Sequence, residues 1–288
     1  MVDNGRMVTG PRTPQDDERT LQNARLFDAV AGSYDHLGFL TLAARQLVAG
    51  VAVQAGERVL DVATGTGTVA LAVAPAAGPR GHVVGVDVAG RMLEVARGRA
   101  AGLPQVTFEQ AEATRLPFPD GAFDRVLCAS GLFFVPDMPG ALREWRRVLR
   151  PGGQVAFTSF ARGLLGPLPA LWAARLAQEG VKPAAPPLGR LPTPEAAQEV
   201  LREAGFREAT AALHALPYRF ATPQARWAEI EAGVEGQVWS LMPPEQRERV
   251  RAAHLAELRE LFARKSPTQG PLTVPVPVIV ASGRAPEG

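Results

Sequence analysis

Apolar positions along this chain follow more than one rhythm. From 19 to 31, Leu21, Ala24, Leu26, Phe27 and Val30 loosely share a helical face, and G-S-Y-D-H at 32–36 breaks it. A second helical stretch covers 38–51. The texture then changes to short apolar runs separated by glycine loops and helices. Predicted strands are Arg58–Ala63, His82–Asp87, Val106–Gln110, Asp124–Ala129 and Gln154–Ser159. The helices between them are Thr68–Ala74, stopped near Pro75, then Arg91–Ala101, and Met138–Leu149, which ends at Pro151-Gly152-Gly153. V-V-G-V and R-V-L-C-A are almost continuously apolar, as strands buried on both faces must be. Alternation at this spacing implies parallel βαβ units in an α/β, doubly wound sheet.

After residue 160 the pattern loosens. Residues 161–192 are rich in proline, leucine and alanine, so part is loop, with a helix near 168–179. Thr193 caps a helix running from Pro194 to Ala204, and Gly205 ends it. A strand is expected around 208–220, helices over about 222–235 and 243–264, and a last strand over about 272–282. Pro275 and Pro277 fall in that strand, which should therefore be an edge or bulged, because proline cannot donate to a ladder.

Composition narrows the class. With 288 residues and 46% hydrophobic content, the chain can build a sizeable core. No apolar run reaches the roughly 18 residues of a membrane span. The N-terminal segment lacks the apolar region of a secretory signal, and residues 1–15 read as a flexible tail. A single cysteine, Cys128, argues against a disulfide or a cysteine-built metal site and fits a cytoplasmic location. No metal site is expected. Lys182 and Lys265 are the only lysines, and the arginines are scattered among acids without aromatic interleaving. That is a solvated mixed-charge surface, so no nucleic-acid partner is expected.

Candidate chemistry begins with D-V-A-T-G-T-G at 61–67. Its glycines allow close backbone approach, and the helix that follows presents free N–H groups. Asp87, twenty residues beyond Gly67, can accept hydrogen bonds from the ribose hydroxyls of an adenosine. G-T-G-T-V-A also fits a dinucleotide fingerprint, which keeps an NAD(P) oxidoreductase in view. Asp61 argues the other way. An acid at the strand end can hold the amino group of an amino-acid tail, which S-adenosylmethionine (SAM) has and NAD lacks. Glu112 and Ala113 follow the third strand at the open end of the sheet, where a carboxylate and a backbone N–H can read an adenine edge. L-P-F-P-D-G forms a turn cluster before the fourth strand, and the helix A-L-R-E-W-R-R-V-L-R-P-G-G is read as architectural.

Taken in order, V-L-D-V-A-T-G-T-G, V-V-G-V-D-V-A-G-R-M-L, A-E-A-T-R-L-P-F-P-D-G-A-F-D and R-V-L-R-P-G-G resemble a class I SAM-dependent methyltransferase, of the broad group that includes ubiquinone and menaquinone biosynthesis methyltransferases. The likeness covers roughly 25–160, and F-D-A-V-A-G-S-Y-D at 27–35 is similar to that group's opening segment. It implies a mostly parallel, seven-stranded Rossmann-like sheet with an antiparallel C-terminal strand and an added helical lid. The expected organisation is a single domain over 16–288, with its core at 52–160. N-terminal helices at 16–51 and insertions at about 161–192 and 222–265 would form the acceptor side. The resemblance also implies SAM as cofactor. Asp61, Ala63, Gly65, Thr66 and Gly67 would surround its amino-acid tail, with Asp87 on the ribose and Val88 and Met92 beside the adenine. Glu112 and Ala113 would take the adenine edge, Ser130 would back the methionine portion and Tyr34 would cover it.

Two departures matter. Glu112 stands where the family usually has aspartate, and Gly131-Leu132-Phe133-Phe134 stands where many relatives carry a histidine. A base from that position is absent, and the apolar residues suggest a hydrophobic acceptor pocket. His36, beside the Tyr34-Asp35 pair, is the candidate catalytic base, with His214 and Tyr218 as weaker ones; His82 and His254 read as structural. The expected reaction is O- or C-methylation of a small hydrophobic metabolite or quinone-like ring. An N-methyltransferase and a non-catalytic SAM-binding protein are the alternatives. The charge-laced helix at 243–264 reads as a lid or an oligomer face, which leaves a homodimer open.

Overall fold

The computed structural model describes residues 13–181, 187–265 and 270–287. Residues 1–12 of the expected tail, Lys182 and part of the proline-rich stretch lie outside these. In chain order the first elements are α1 (Pro14–Val30), a 3-10 turn (Tyr34–His36), α2 (Gly38–Gly50), β1 (Arg58–Val62), α3 (Thr68–Ala77), β2 (His82–Asp87), α4 (Gly90–Arg99) and β3 (Val106–Gln110). They are followed by β4 (Phe123–Cys128), α5 (Met138–Val148), β5 (Leu149–Phe160), α6 (Leu168–Gln178) and α7 (Pro194–Glu203). The chain closes with β6 (Arg207–Phe220), α8 (Pro223–Ala232), α9 (Gln237–Ser240), α10 (Pro244–Lys265) and β7 (Leu272–Arg284).

The seven strands form one sheet in the order β3-β2-β1-β4-β5-β7-β6. All pairings up to β4–β5 are parallel, while β7 runs antiparallel to both β5 and β6. Alternate residues of β1 face opposite layers. Leu60 and Val62 join Trp145 of α5 and Val200 of α7, whereas Val59 joins Leu47 of α2, Val73 of α3 and Leu93 of α4. Burial on both faces is what the near-continuous apolar runs required. The strand order reverses between β1 and β4, which opens a crevice at their carboxyl ends.

Several boundaries differ from expectation, each for a local reason. Helix α1 starts at Pro14, inside the stretch read as tail, because Thr13 and Asp16 form a reciprocal capping box. Helix α3 continues through Pro75 to Ala77. At that point proline forfeits a single bond in the last turn, and Gly78 N–H closes the helix on the Ala74 carbonyl at 3.0 Å. Strand β5 already pairs at Leu149 with Phe123, then shifts register across Pro151–Gly153 and resumes at Gln154. The Pro-Gly-Gly turn is thus an irregularity within β5. The helix expected over 222–235 ends at Ala232, and a 3-10 turn (Val234–Gly236) then leads into α9.

The largest correction concerns β7. Despite its two prolines it lies inside the sheet, between β5 and β6. Pairing with β5 ends at Phe160↔Val278, so Pro277 and Pro275 sit beyond the end of β5. Their carbonyls accept from Ala161 N–H and Leu165 N–H, both at 2.9 Å, in the loop that continues from β5. N–H and C=O of one strand residue point to the same side. Each proline therefore lacks its N–H on the side where no strand needs it. The irregularity in the β6–β7 ladder falls elsewhere, between Arg207 and Thr210.

Two contacts fix the carboxyl end of the sheet. Gly85 in β2 leaves room for the Phe108 ring, whose nearest carbon is 2.5 Å from where a Cβ would stand. The same ring reaches 3.0 Å from a Cβ position on Gly67, so it lies across β2 and under the glycine loop. The Tyr34–His36 turn is tied down from two sides. Thr66 Oγ1 donates to Asp35 at 2.5 Å, and Arg99 Nη1 reaches both the Asp35 carboxylate and the Thr66 carbonyl at 3.0 Å. Ser33 Oγ donates to the Ala232 carbonyl at 2.8 Å.

Gly85→Ala should overpack the Phe108 site and lower stability by about 1–3 kcal/mol, measured by urea unfolding. Arg99→Ala should leave global stability within about 1 kcal/mol, because the pair is partly exposed. Hydrogen exchange should nevertheless quicken in the 33–37 amides, since that turn loses its strongest tether.

Candidate active site

The glycine loop is shaped by Asp61. Its side chain is buried and points along the strand end, where Oδ2 accepts from Thr64 Oγ1 at 2.5 Å and from Ala70 N–H in α3 at 3.0 Å. Those two bonds close the loop onto the helix start. The other oxygen, Oδ1, is buried with no partner. Burial pushes the Asp61 carboxyl up to about 7. A raised carboxyl favours the fold while it is neutral, and that contribution is lost as pH rises through the folded-state value. A cation beside Oδ1 would reverse the penalty.

The backbone around Asp61 is held in uncommon conformations. Ala63 (φ 54°) and Ser130 (φ 57°) are non-glycine residues in the left-handed region, one at the end of β1 and the other just past β4. Such strain persists only where surrounding contacts impose it, and it gathers at functional sites. Ser130 is held by Thr158, whose hydroxyl accepts from its N–H at 2.9 Å. Asp87 at the end of β2 accepts from Gly65 N–H and Ala89 N–H, both at 2.9 Å. Burial raises its pKa against those bonds.

These elements enclose a cleft of about 770 Å³, its open mouth included, at the crevice between β1 and β4. Tyr34, Ala63, Gly65, Asp87, Val88, Met92, Glu112, Ala113 and Ser130 all line it. A second cavity of about 500 Å³ shares Tyr34, Ala63, Gly65 and Ser130 and adds Asp61 and Thr66. Sequence reasoning thus finds residues that the fold brings together. Tyr34 spans both cavities, and burial, followed by Asp87 and Asp35, pushes its phenol pKa up.

Two expected residues stand apart. Gly67 lines neither cavity; it caps α3 with φ 84° and packs against Phe108. His36 is exposed and lines neither. Thr66 reaches the second cavity, but its hydroxyl is spent on Asp35. Cys128 is fully buried, and burial pushes its thiol up, away from thiolate chemistry. Among the described residues, no group of three or more His, Cys, Asp or Glu could hold a metal ion, and no helix is long and apolar enough to cross a membrane.

Other lining residues escaped sequence reasoning. Thr20, Asn23 and Phe27 of α1 close one side of the larger cleft, and Phe134 meets Phe27 edge-on at 5.0 Å. Asn23 Nδ2 donates to the Phe134 carbonyl at 2.9 Å and joins α1 to the loop after β4. The available signal was the apolar face of α1, which includes Phe27. Helix α5 was read as architectural, yet it braces the wall beside Glu112. Trp145 Nε1 donates to the Ala113 carbonyl at 3.0 Å, Glu144 accepts from Leu116 N–H at 2.7 Å, and Arg147 donates to the Phe118 carbonyl at 2.8 Å. Glu144 is held below the usual carboxylate range, first by its hydrogen bond from Arg147.

Comparison with known proteins agrees with this geometry. A family model described as a methyltransferase domain matches residues 59–153, the segment from β1 to the turn within β5. The chain is 33% identical over 229 residues to a demethylmenaquinone methyltransferase of Symbiobacterium thermophilum, covering 70% of this chain and 91% of that protein. It is also 32% identical over 277 residues to nocamycin O-methyltransferase of Saccharothrix syringae, covering 90% and 97% of the two chains. In fold it is similar to the YcgJ protein of Bacillus subtilis, with a TM-score of 0.57, 24% identity, and coverage of 85% of this chain and 99% of that one. The chain therefore belongs to the class I SAM-dependent methyltransferase superfamily.

Proposed function

We propose that this protein transfers a methyl group from SAM to a small, largely apolar metabolite, at oxygen or carbon. The observation that carries the reading is the unpartnered, buried Asp61 Oδ1 beside the strained glycine loop. It suits the ammonium of an amino-acid tail, and a nicotinamide dinucleotide has no such group. When bound, SAM supplies a methyl carbon on positively charged sulfur, already activated toward a nucleophile.

The chain then has to hold and align the reactants. Asp61 takes the ammonium and Asp87 accepts hydrogen bonds from the ribose hydroxyls. Val88 and Met92 flank the adenine, while Glu112 and the Ala113 backbone read its edge. Ser130 and Tyr34 enclose the methionine end, and the Tyr34 turn excludes water from it. The acceptor lies beyond Tyr34, between the N-terminal helices, the loop at 131–135 and the helices of 161–265, which act as a lid. Support for a small acceptor comes from the apolar side chains of Phe133 and Phe134 and from the near-complete coverage of a relative named for O-methylation of nocamycin.

Calorimetric titration with S-adenosylhomocysteine, the demethylated product, tests the cofactor assignment. Asp61→Asn should weaken binding about 10–100-fold, the worth of a charge-assisted hydrogen bond. In the wild type, affinity should rise between about pH 6 and about pH 7.5, because the ammonium binds the ionised carboxylate and so expels a proton. The variant should lack that dependence. Binding of NAD in place of the product would defeat the reading. Absence of turnover on a metabolite panel, with turnover on a peptide or RNA, would defeat the acceptor class.

A further inference from the structure

The segment between β4 and α5 forms part of the cleft wall, yet little backbone pairing holds it. Gly131, Phe134, Val135 and Pro136 all line the larger cleft. Phe134 N–H and Val135 N–H donate to the Gly131 and Leu132 carbonyls, both at 3.0 Å, and close a single 3-10 turn (Leu132–Phe134). The carbonyls of residues 133 to 136 are each taken by a side chain distant in sequence. Asn23 of α1 takes that of Phe134 at 2.9 Å. Arg190 takes the other three: Nη1 donates to Phe133 at 3.1 Å and to Val135 at 2.5 Å, and Nη2 donates to Pro136 at 2.7 Å.

Arg190 is itself tied to the sheet. It ends a 3-10 turn (Pro187–Arg190), and its neighbour Leu191 is fully buried. Ser159 Oγ in β5 donates to the Leu191 carbonyl at 2.5 Å. The guanidinium thus reaches from a point fixed on β5 to the segment after β4. It is half-buried, and burial, followed by repulsion from Arg19, lowers its pKa. Its hydrogen bonds go to neutral carbonyls and not to a carboxylate. Taking a charge partly out of water is costly unless its donors are used, and here they are spent on backbone that borders the cleft.

The effect falls on Phe134. Arg190 holds the carbonyls on both sides of it, and Asn23 holds its own. The Phe134 ring meets Phe27 at 5.0 Å, and Phe27 meets Tyr34 at 6.0 Å, both edge-on. All three rings line the larger cleft, whereas Arg190 does not. Fixing the Phe134 backbone therefore sets the aromatic wall of the cleft from behind.

We propose that Arg190 is a positioning residue for the methyl donor: by holding the carbonyls on both sides of Phe134, it fixes the wall against which the cofactor lies without touching the cofactor. This rests on the methyltransferase reading and adds to its site a residue of the 161–192 insertion. That insertion, and not the core alone, then sets the affinity for the donor.

Calorimetric titration with S-adenosylhomocysteine tests this on the full chain. Arg190→Ala should weaken binding about tenfold. Millimolar guanidinium ion, too dilute to unfold a protein, should restore most of the loss. Sodium at the same ionic strength should not, because it has no N–H groups to donate to several carbonyls. Hydrogen exchange at the Phe134 and Val135 amides should quicken in the variant and slow again with guanidinium. The Asp61 loop lies outside the reach of Arg190, so affinity plotted against pH should run parallel in variant and wild type. Arg190→Lys keeps the charge without the planar fork; its affinity should fall between the two, and it serves if the alanine variant does not fold. Unchanged affinity in the variants, a loss that guanidinium leaves in place, or a pH curve that is no longer parallel would overturn the proposal. Failure of S-adenosylhomocysteine to bind the wild type would overturn the methyltransferase reading instead.

Discussion

One carboxylate holds the loop side of this site together. Asp61 is buried at the end of β1, and with a single oxygen it fixes both the Thr64 turn and the first turn of α3. Without those bonds the left-handed positions at Ala63, Gly65 and Gly67 would have little to hold them open. The Phe108 ring supports the loop from below, and Asp87 clamps Gly65 from the side. The second oxygen of Asp61 is thereby left buried and unmatched. Burial raises its pKa against the two hydrogen bonds it accepts.

Much of the fold was legible because burial writes itself into sequence. β1, β2, β3 and β4 emerge within a residue of expectation, since apolar runs between glycine loops admit few other readings. The residues around the glycine loop, Asp87 and Glu112 were legible for a related reason: they stand at strand ends, where the topology must open a crevice. What stayed hidden depends on partners distant in sequence. Pro275 and Pro277 argue for an edge strand until one sees that β5 has already ended beside them. Pro75 argues for a helix stop until its place in a final turn makes the lost bond a minor one.

His254 is the sharpest case. Its helix, P-E-Q-R-E-R-V-R-A-A-H-L-A-E-L-R-E-L, has charge on nearly every turn, and its histidine reads as structural with no sign of how deeply it is buried. In the fold it is wedged between Trp172 and Trp227, on a face where Glu257 and Arg175 neutralise one another. Mixed charge along a helix conceals a buried face whenever the charges pair across helices. His36 shows the reverse. Its neighbours in sequence, Tyr34 and Asp35, both line a cavity, but one further step around a 3-10 turn carries it outward into solvent.

The β6–β7 ladder continues past the last residue of β5, from Pro277 to Leu272 on one strand and from Ala215 to Phe220 on the other. That overhang is a cantilever: Phe220, Leu272, Val274 and Val276 on it form the apolar bed for α10, together with Leu165 and with Leu168 at the start of α6. The five parallel strands around the glycine loop contribute little to that bed. Insertions, deletions or wholesale exchange of the helices on the cantilever would leave the two bonds of the Asp61 carboxylate in place, since both are made within residues 61–70. A lineage could therefore change what sits opposite Tyr34 many times over while inheriting one unaltered floor.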